Sequence, residues 1–151
     1  MGPERGGTVV ITHRVRVFVF AGDPSGYRHF LVRPRPRAEW SWGPLAGAIR
    51  YEEQFHQAIR RQVRERLGLE EGAILDLEHH PTEMAGDITW VDWDFGYGLP
   101  VSREALPEPL EGGPDAPDWT WATLGEALKL DLPRSVQEAL IQLELLLHSP
   151  A

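Results

Sequence analysis

Residues 47–69 read GAIRYEEQFHQAIRRQVRERLGL, and the reading of this stretch decides how the rest of the chain is arranged. Phe55, Ala58, Ile59, Val63 and Leu67 recur at three- and four-residue steps, which gathers them on one side of an α-helix. Glu53, Gln57, Arg61 and Glu65 are spaced four apart and form a row on the opposite side, where charges can pair. Gly68 stands where a C-terminal cap belongs, because glycine takes the left-handed conformation without a Cβ penalty. The pattern predicts a helix over Glu52–Leu67 with one face in the core. The preceding segment, Trp40–Ala48, is predicted as a loop. Its Gly43-Pro44 and Gly47 mark a chain that passes close to another part of the molecule, since glycine is kept where a Cβ would collide.

Working outward, Val9–Phe20 is rich in β-branched and aromatic residues, with Val15, Val17 and Val19 on one face and Arg14, Arg16 and Phe18 on the other. Asp23-Pro24-Ser25-Gly26 reads as a turn, and Phe30-Leu31-Val32 as the returning strand of a hairpin. Beyond the helix, Ala73–Glu78 and Ile88–Tyr97 are predicted strands. The second sets Val91, Trp93, Phe95 and Tyr97 on one face and Asp92 and Asp94 on the other. Pro100–Pro117, rich in proline, glycine and acid, is an expected surface loop, and Trp119–Leu128 holds a short strand and a helix start. Pro133 and Ser135 lead into Val136, Ala139, Leu140, Leu143 and Leu147, an amphipathic helix suited to close over a sheet. Strands and helices in this order predict an α/β (α+β) fold in a single domain over 1–151, with 1–8 as a flexible N-terminal arm.

Composition excludes several functions. No cysteine is present, which removes thiol catalysis and thiolate metal sites and suits a reducing cytoplasm. The net charge of −8 would repel a polyanion, so no polynucleotide partner is expected. No apolar run approaches the ~20 residues that span a bilayer, so no membrane association is expected and the location is read as cytoplasmic. Arg33, Arg35 and Arg37, alternating with Pro34 and Pro36, form a local basic stretch, read as a stiff solvated loop or as a phosphate contact.

The spacing inside residues 47–69 carries the functional inference. Gly47 is followed after five residues by Glu53, after seven more by Arg61, and then by Gln62, Val63, Arg64, Glu65, Arg66, Leu67, Gly68 and Leu69. This resembles the Nudix box: glycine, five residues, glutamate, seven residues, Arg-Glu, an aliphatic, any residue, Glu-Glu, any residue, glycine, aliphatic. Seven of the nine fixed positions match. Trp42-Gly43-Pro44-Leu45-Ala46-Gly47 is similar to the family's Trp-led entry to the box, with Leu45 and Ala46 in place of the commoner Pro-Gly. Trp121, Glu126 and Leu128 loosely resemble a family segment before the last helix. The resemblance implies an α/β/α sandwich with a mixed sheet, and a hydrolase of nucleoside diphosphates linked to another group, assisted by Mg or Mn. Pairing into homodimers is common in the family and is an assembly open to this chain.

Water attack on a diphosphate needs hard divalent ions, and such ions take carboxylate oxygens. By resemblance the ligands fall at positions 62, 65 and 66, neighbours on one helical face. Here those residues are Gln62, Glu65 and Arg66, so the trio's formal charge is zero rather than −3. At an effective dielectric of 20, a divalent ion ~5 Å from one carboxylate gains about 7 kcal/mol before screening, and an arginine there reverses the sign. Glu65 is then the remaining metal ligand or base. Glu53, Glu83, Asp92 and Asp94 are candidate replacements. Arg66 has two readings, a guanidinium that binds the diphosphate directly with paired hydrogen bonds, or a surface partner of Glu70. Gly47, Arg61 and Glu53 match the pattern and by resemblance brace the loop to the helix at the substrate site. Three functions follow: a Nudix-type hydrolase with a remodelled metal site and weak activity, an inactive module that binds a nucleotide or phosphorylated small molecule, or an interaction domain without a ligand.

Other candidates are blander. His79-His80, if on a strand, point to opposite faces and do not share an ion. His56 reads as a solvated helix residue. Trp90, Trp93, Phe95 and Tyr97 read as core, with base stacking by one of them as the alternative. No Walker or dinucleotide fingerprint is present.

Overall fold

The computed structural model describes residues 10–23, 26–34, 41–100, 106–110, 112 and 116–149. The expected N-terminal arm, and Arg35 and Arg37 of the basic stretch, lie outside them. Among the described residues the chain forms β1 (Val10–Asp23), β2 (Gly26–Arg33), β3 (Leu45–Ala48), α1 (Phe55–Leu67), β4 (Ala73–Asp76), β5 (Thr82–Ala85), β6 (Ile88–Gly98), β7 (Asp118–Ala122), α2 (Leu124–Ala127) and α3 (Arg134–His148).

All the strands join one sheet in the order β4-β6-β1-β2-β7, with β3 added to β1 and β5 to β6. It is mixed: β1 and β6 run parallel along most of their length, from Val10↔Ile88 to Phe20↔Gly98, and the remaining pairs are antiparallel. The other side of β1 is shared. Its first half pairs with β3 (Arg14↔Ala48 to Val17↔Leu45) and its last residues pair with β2 (Phe20↔His29 to Asp23↔Gly26). A fork therefore opens between β2 and β3, closed at one point by the Val32–Gly43 bridge.

Period-two alternation along β1 sends successive side chains to opposite faces and so makes two cores. Val15, Val17 and Val19 meet Ala58, Ile59, Val63 and Leu67 of α1, together with Phe95 and Tyr97. Phe18 and Phe20 meet Val136, Ala139, Leu140 and Leu143 of α3. The sheet is sandwiched between the two helices, as expected from the apolar stripes on both. Each fully buried aliphatic or aromatic side chain here contributes about 1.5–3 kcal/mol of transfer free energy. Of the four β6 aromatics expected in the core, Phe95 and Tyr97 are buried, whereas Trp93 is only partly so and Trp90, also partly buried, lies under the Arg14 guanidinium, 5.1 Å from its ring centroid.

Several expectations need correction. The helix starts at Phe55, not Glu52, because Glu52 has φ 63 and Gln54 is extended as the N-cap, with its N–H bonded to Gln57 Oε1 at 2.8 Å. Glu53 thus precedes the helix. The other end is as read, Gly68 capping at φ 70 with its N–H on the Arg64 carbonyl. The predicted loop Trp40–Ala48 contains β3. Gly47 does make a close approach, since a Cβ there would stand 3.2 Å from Gln62 Nε2, whereas Gly43 has nothing within 4 Å. His79 and His80 follow β4 rather than lying on it, and they still diverge: His79 bonds to Asp94, while the His80 ring packs 4.4 Å from that of Trp93.

Candidate functional site

The segment between β3 and α1 is held by charge. Arg61, in the second turn of α1, bonds Glu53 through Nε at 2.7 Å and Nη2 at 2.9 Å, and Nη2 also reaches the Ala48 carbonyl at 3.1 Å. The Arg50 N–H donates to the same carboxylate at 2.9 Å. These bonds, Arg61's first, hold the Glu53 carboxyl down at about 2. In return, Glu53 raises the pKa of Arg61. Glu65, four residues on, is 3.5 Å from Arg61 Nη1 and 3.6 Å from Arg50 Nη2. One turn of loop and two turns of helix are thereby locked to each other.

Gln62 lies on the inner side of the same helix and is only 5% exposed. Its Nε2 faces the Gly47 carbonyl at 3.5 Å, and its Oε1 is buried with no partner among the described residues. The reverse amide orientation would set two acceptors against each other, so the donor belongs toward Gly47. Arg66 is exposed and lies on the wall of a cleft of about 530 Å³. Among the described residues its side chain has no ion-pair partner, so it does not pair with Glu70, while its backbone carbonyl accepts from the Leu110 N–H at 2.9 Å.

The cleft occupies the fork between β2 and β3. It is lined by Val32 of β2 and Pro34 just beyond it, Trp42 to Ala46 leading into β3, Pro133 and Val136 of the α3 end, and Arg14, Arg16 and Arg66. None of its described lining residues is acidic. Trp42 is stacked beneath the Arg33 guanidinium, 4.9 Å from the ring centroid, and Arg33 also bonds Asp118 at 2.8 Å. Arg33 is therefore engaged within the protein.

Asp92 and Asp94 do not approach Glu65. The parallel β1–β6 register sets them beside Arg14 and Arg16 on the α3 face of the sheet, whereas Glu65 belongs to the helix on the other face. Asp92 takes Arg14 Nε at 2.7 Å and Nη2 at 3.0 Å, and raises that arginine's pKa. Asp94 is fully buried and takes Arg16 Nε at 2.7 Å, Nη2 at 2.8 Å and His79 Nδ1 at 2.6 Å. Arg16 Nη1 also donates to Ser135 Oγ at 3.1 Å. Glu53 is committed to Arg61, and Glu83 is exposed on β5. Among the described residues, no three His, Asp or Glu side chains group as ligands for an ion.

The structure thus joins Gly47 to Gln62 and Glu53 to Arg61 and Glu65, and it turns Arg66 into a cleft with Arg14 and Arg16, two residues that sequence reasoning placed on a face without assigning them to a site. Their signal was the matched i, i+2 spacing of arginines on one strand and aspartates on another. Register across 78 positions of sequence was needed to pair them.

A mixed sheet between two helices, with a glycine-led helix beside a cleft at the fork of two strands, defines a Nudix-like α/β/α sandwich. The NUDIX domain family model matches residues 12–143, and the chain belongs to that family. The fold is shared with solved structures of low identity. One named as a NUDIX hydrolase from Listeria monocytogenes aligns with a TM-score of 0.73 at 17% identity, over 89% of this chain and 93% of that one. The dihydroneopterin triphosphate pyrophosphohydrolase of E. coli gives 0.68 at 18% identity, over 90% and 98%. The NUDIX domain of Shewanella oneidensis NrtR, complexed with ADP ribose, gives 0.70 at 15% identity, over 97% and 94%. No curated protein matches the chain.

The family generally uses divalent metal ions. The residues here do not fit one at the box: an amide N–H points at the Gly47 carbonyl, a guanidinium stands at position 66, and the Glu65 carboxylate already faces two arginines. A divalent ion needs several oxygen donors at close range, and Glu65 is the one carboxylate left at these three positions to supply them.

Proposed function

We propose that the chain binds a nucleoside diphosphate derivative in the cleft at the β2–β3 fork without turning it over. The observation that carries this reading is the lining of the cleft, apolar walls and three arginines, with no carboxylate among the described lining residues. A volume of about 530 Å³ suits a nucleotide-sized ligand. Trp42, Pro44, Pro133 and Val136 offer apolar surface to a base, and Arg66, with Nη1 of Arg14, offers donors to phosphate oxygens. Gly47, Glu53 and Arg61 keep the β3–α1 loop in place beside it. The ligand is a small molecule rather than a polynucleotide, in keeping with the net charge of −8.

Residual hydrolysis is the second reading, and it rests on Glu65. Its carboxylate is 49% exposed at the box, and its partners at 3.5 and 3.6 Å are loose enough to yield to an ion. In that version Glu65 serves as metal ligand or base for magnesium or manganese, with Gln62 and Arg66 as the reason for poor turnover.

A panel of ADP-ribose, nucleoside diphosphates and dinucleoside polyphosphates, incubated with magnesium or manganese, separates the readings. The expected outcome is a rise in melting temperature with at least one compound and no product above the uncatalysed background. Product formation supports the second reading. Neither a thermal shift nor product removes both and leaves an interaction domain.

A further inference from the structure

Position 66 carries a positive charge at the place where a negative one would be needed to hold an ion, and this reverses the electrostatic requirement of the cleft. A site built of carboxylates repels a diphosphate until cations bridge the two. Here the bridge is already part of the chain. The charges of Arg14 and Arg16 are offset by Asp92 and Asp94, at 2.7 Å each. Among the described residues, Arg66 is the lining cation without an acidic partner. Its place in the last turn of α1, at the negative end of the helix dipole, favours the charge. Arg14 keeps Nη1 outside its two bonds to Asp92 and has a side chain 28% exposed, so it can add a neutral-pair donor from the opposite wall.

Gln62 completes the reversal one turn earlier in the helix. Its Nε2–H faces the Gly47 carbonyl, so that carbonyl meets a hydrogen-bond donor from within the protein. The amide turns a donor toward the box loop at 3.5 Å, and a carboxylate at 62 would set an anion against the carbonyl oxygen.

From this arrangement we infer that the cleft takes its diphosphate as the metal-free anion, with the Arg66 guanidinium bound to the phosphate oxygens, and that magnesium weakens the complex. The inference rests on the ligand class proposed above. Magnesium opposes binding because it chelates the diphosphate in solution and cancels the charge that Arg66 recognises.

Calorimetric titration of the full chain with ADP, in EDTA and again in millimolar magnesium, tests this, and ADP-ribose serves as a second probe. The expected result is saturable binding in EDTA that becomes weaker with magnesium. Arg66→Ala should weaken binding in EDTA about tenfold or more, and Arg66→Lys should restore part of it, because an ammonium keeps the charge but loses the paired donors. The residue is exposed, so an unchanged melting temperature in the absence of ligand checks that both variants fold. Binding that appears only with magnesium, or that Arg66→Ala leaves unchanged, overturns the inference while leaving the ligand class intact. No binding of any panel compound in either buffer overturns both.

Discussion

Helix α1 is bonded very differently at its two ends. In its second turn Arg61 is held by both oxygens of Glu53 at 2.7 and 2.9 Å and by the Ala48 carbonyl. In its last turn Arg66 has no acid to meet among the described residues, and Glu65 has only the loose approaches of Arg50 and Arg61. The comparison separates two jobs that lie within one short motif. The first end fixes where the loop and helix sit, which any ligand-binding version of the fold requires. In the function proposed here the second sets the sign of the field at the cleft, which decides between binding an ion and binding an anion.

The largest effect should come from the wall opposite Arg66, where charge is buried rather than exposed. Asp94→Ala leaves Arg16, itself 5% exposed, without its bidentate partner, and breaking one side of a buried pair costs about 3–5 kcal/mol. His79 loses its Nδ1 partner as well. Chemical denaturation should show that loss in the midpoint with little change in slope. A cost below about 1 kcal/mol would mean that the Arg16–Asp94 pair is not what holds this wall of the cleft.

Next in size is the attempt to return the second end of α1 to the acidic pattern. Gln62→Glu with Arg66→Glu restores three carboxylates at positions 62, 65 and 66, and the double variant should bind manganese about a hundredfold more tightly, about 2.7 kcal/mol by calorimetry. Its ligand binding should become metal-dependent at the same time. Flat ion affinity would show that positions 62, 65 and 66 do not converge as the resemblance implies.

How much of this could be read without coordinates depends on whether a feature is local. The apolar stripe of α1, its Gly68 cap and the alternation of β1 and β6 are periodic, and periodicity survives in the sequence because each side chain answers to one face. The four residues of β3 gave no such signal: Leu45-Ala46-Gly47-Ala48 lacks β-branched side chains, and its strand character comes from pairing with β1. The helix start was misplaced because Glu52 adopts a positive φ that nothing in its residue type announces. Of the candidate site, Gln62, Glu65 and Arg66 were legible as substitutions against a spaced pattern. That Asp92 and Asp94 are consumed by Arg14 and Arg16 was not, since it follows from strand register, and neither was a cleft that joins the end of α1 to the start of α3 around the edge of β3.

The smallest predicted effect isolates the scaffold end through pH. Glu53 has an ordinary carboxyl value near 4.5 when unfolded and about 2 when folded, so the native state favours its ionised form. The stability it contributes is therefore fully present above about 4.5 and is lost as the pH falls from there toward 2. Glu53→Gln should cost about 2 kcal/mol at pH 7, because charge-assisted bonds to Arg61 are removed from a side chain 12% exposed. The gap between wild type and variant should narrow on titration to pH 3. Glu65→Gln is the matched control at the other end: its partners are 3.5 and 3.6 Å away and its side chain is half exposed, so the loss at pH 7 should stay below about 0.5 kcal/mol. Denaturation curves for both variants at both pH values distinguish a helix fixed at one end and open to ligand at the other from one whose two glutamates are equivalent, and equal losses would dissolve the comparison.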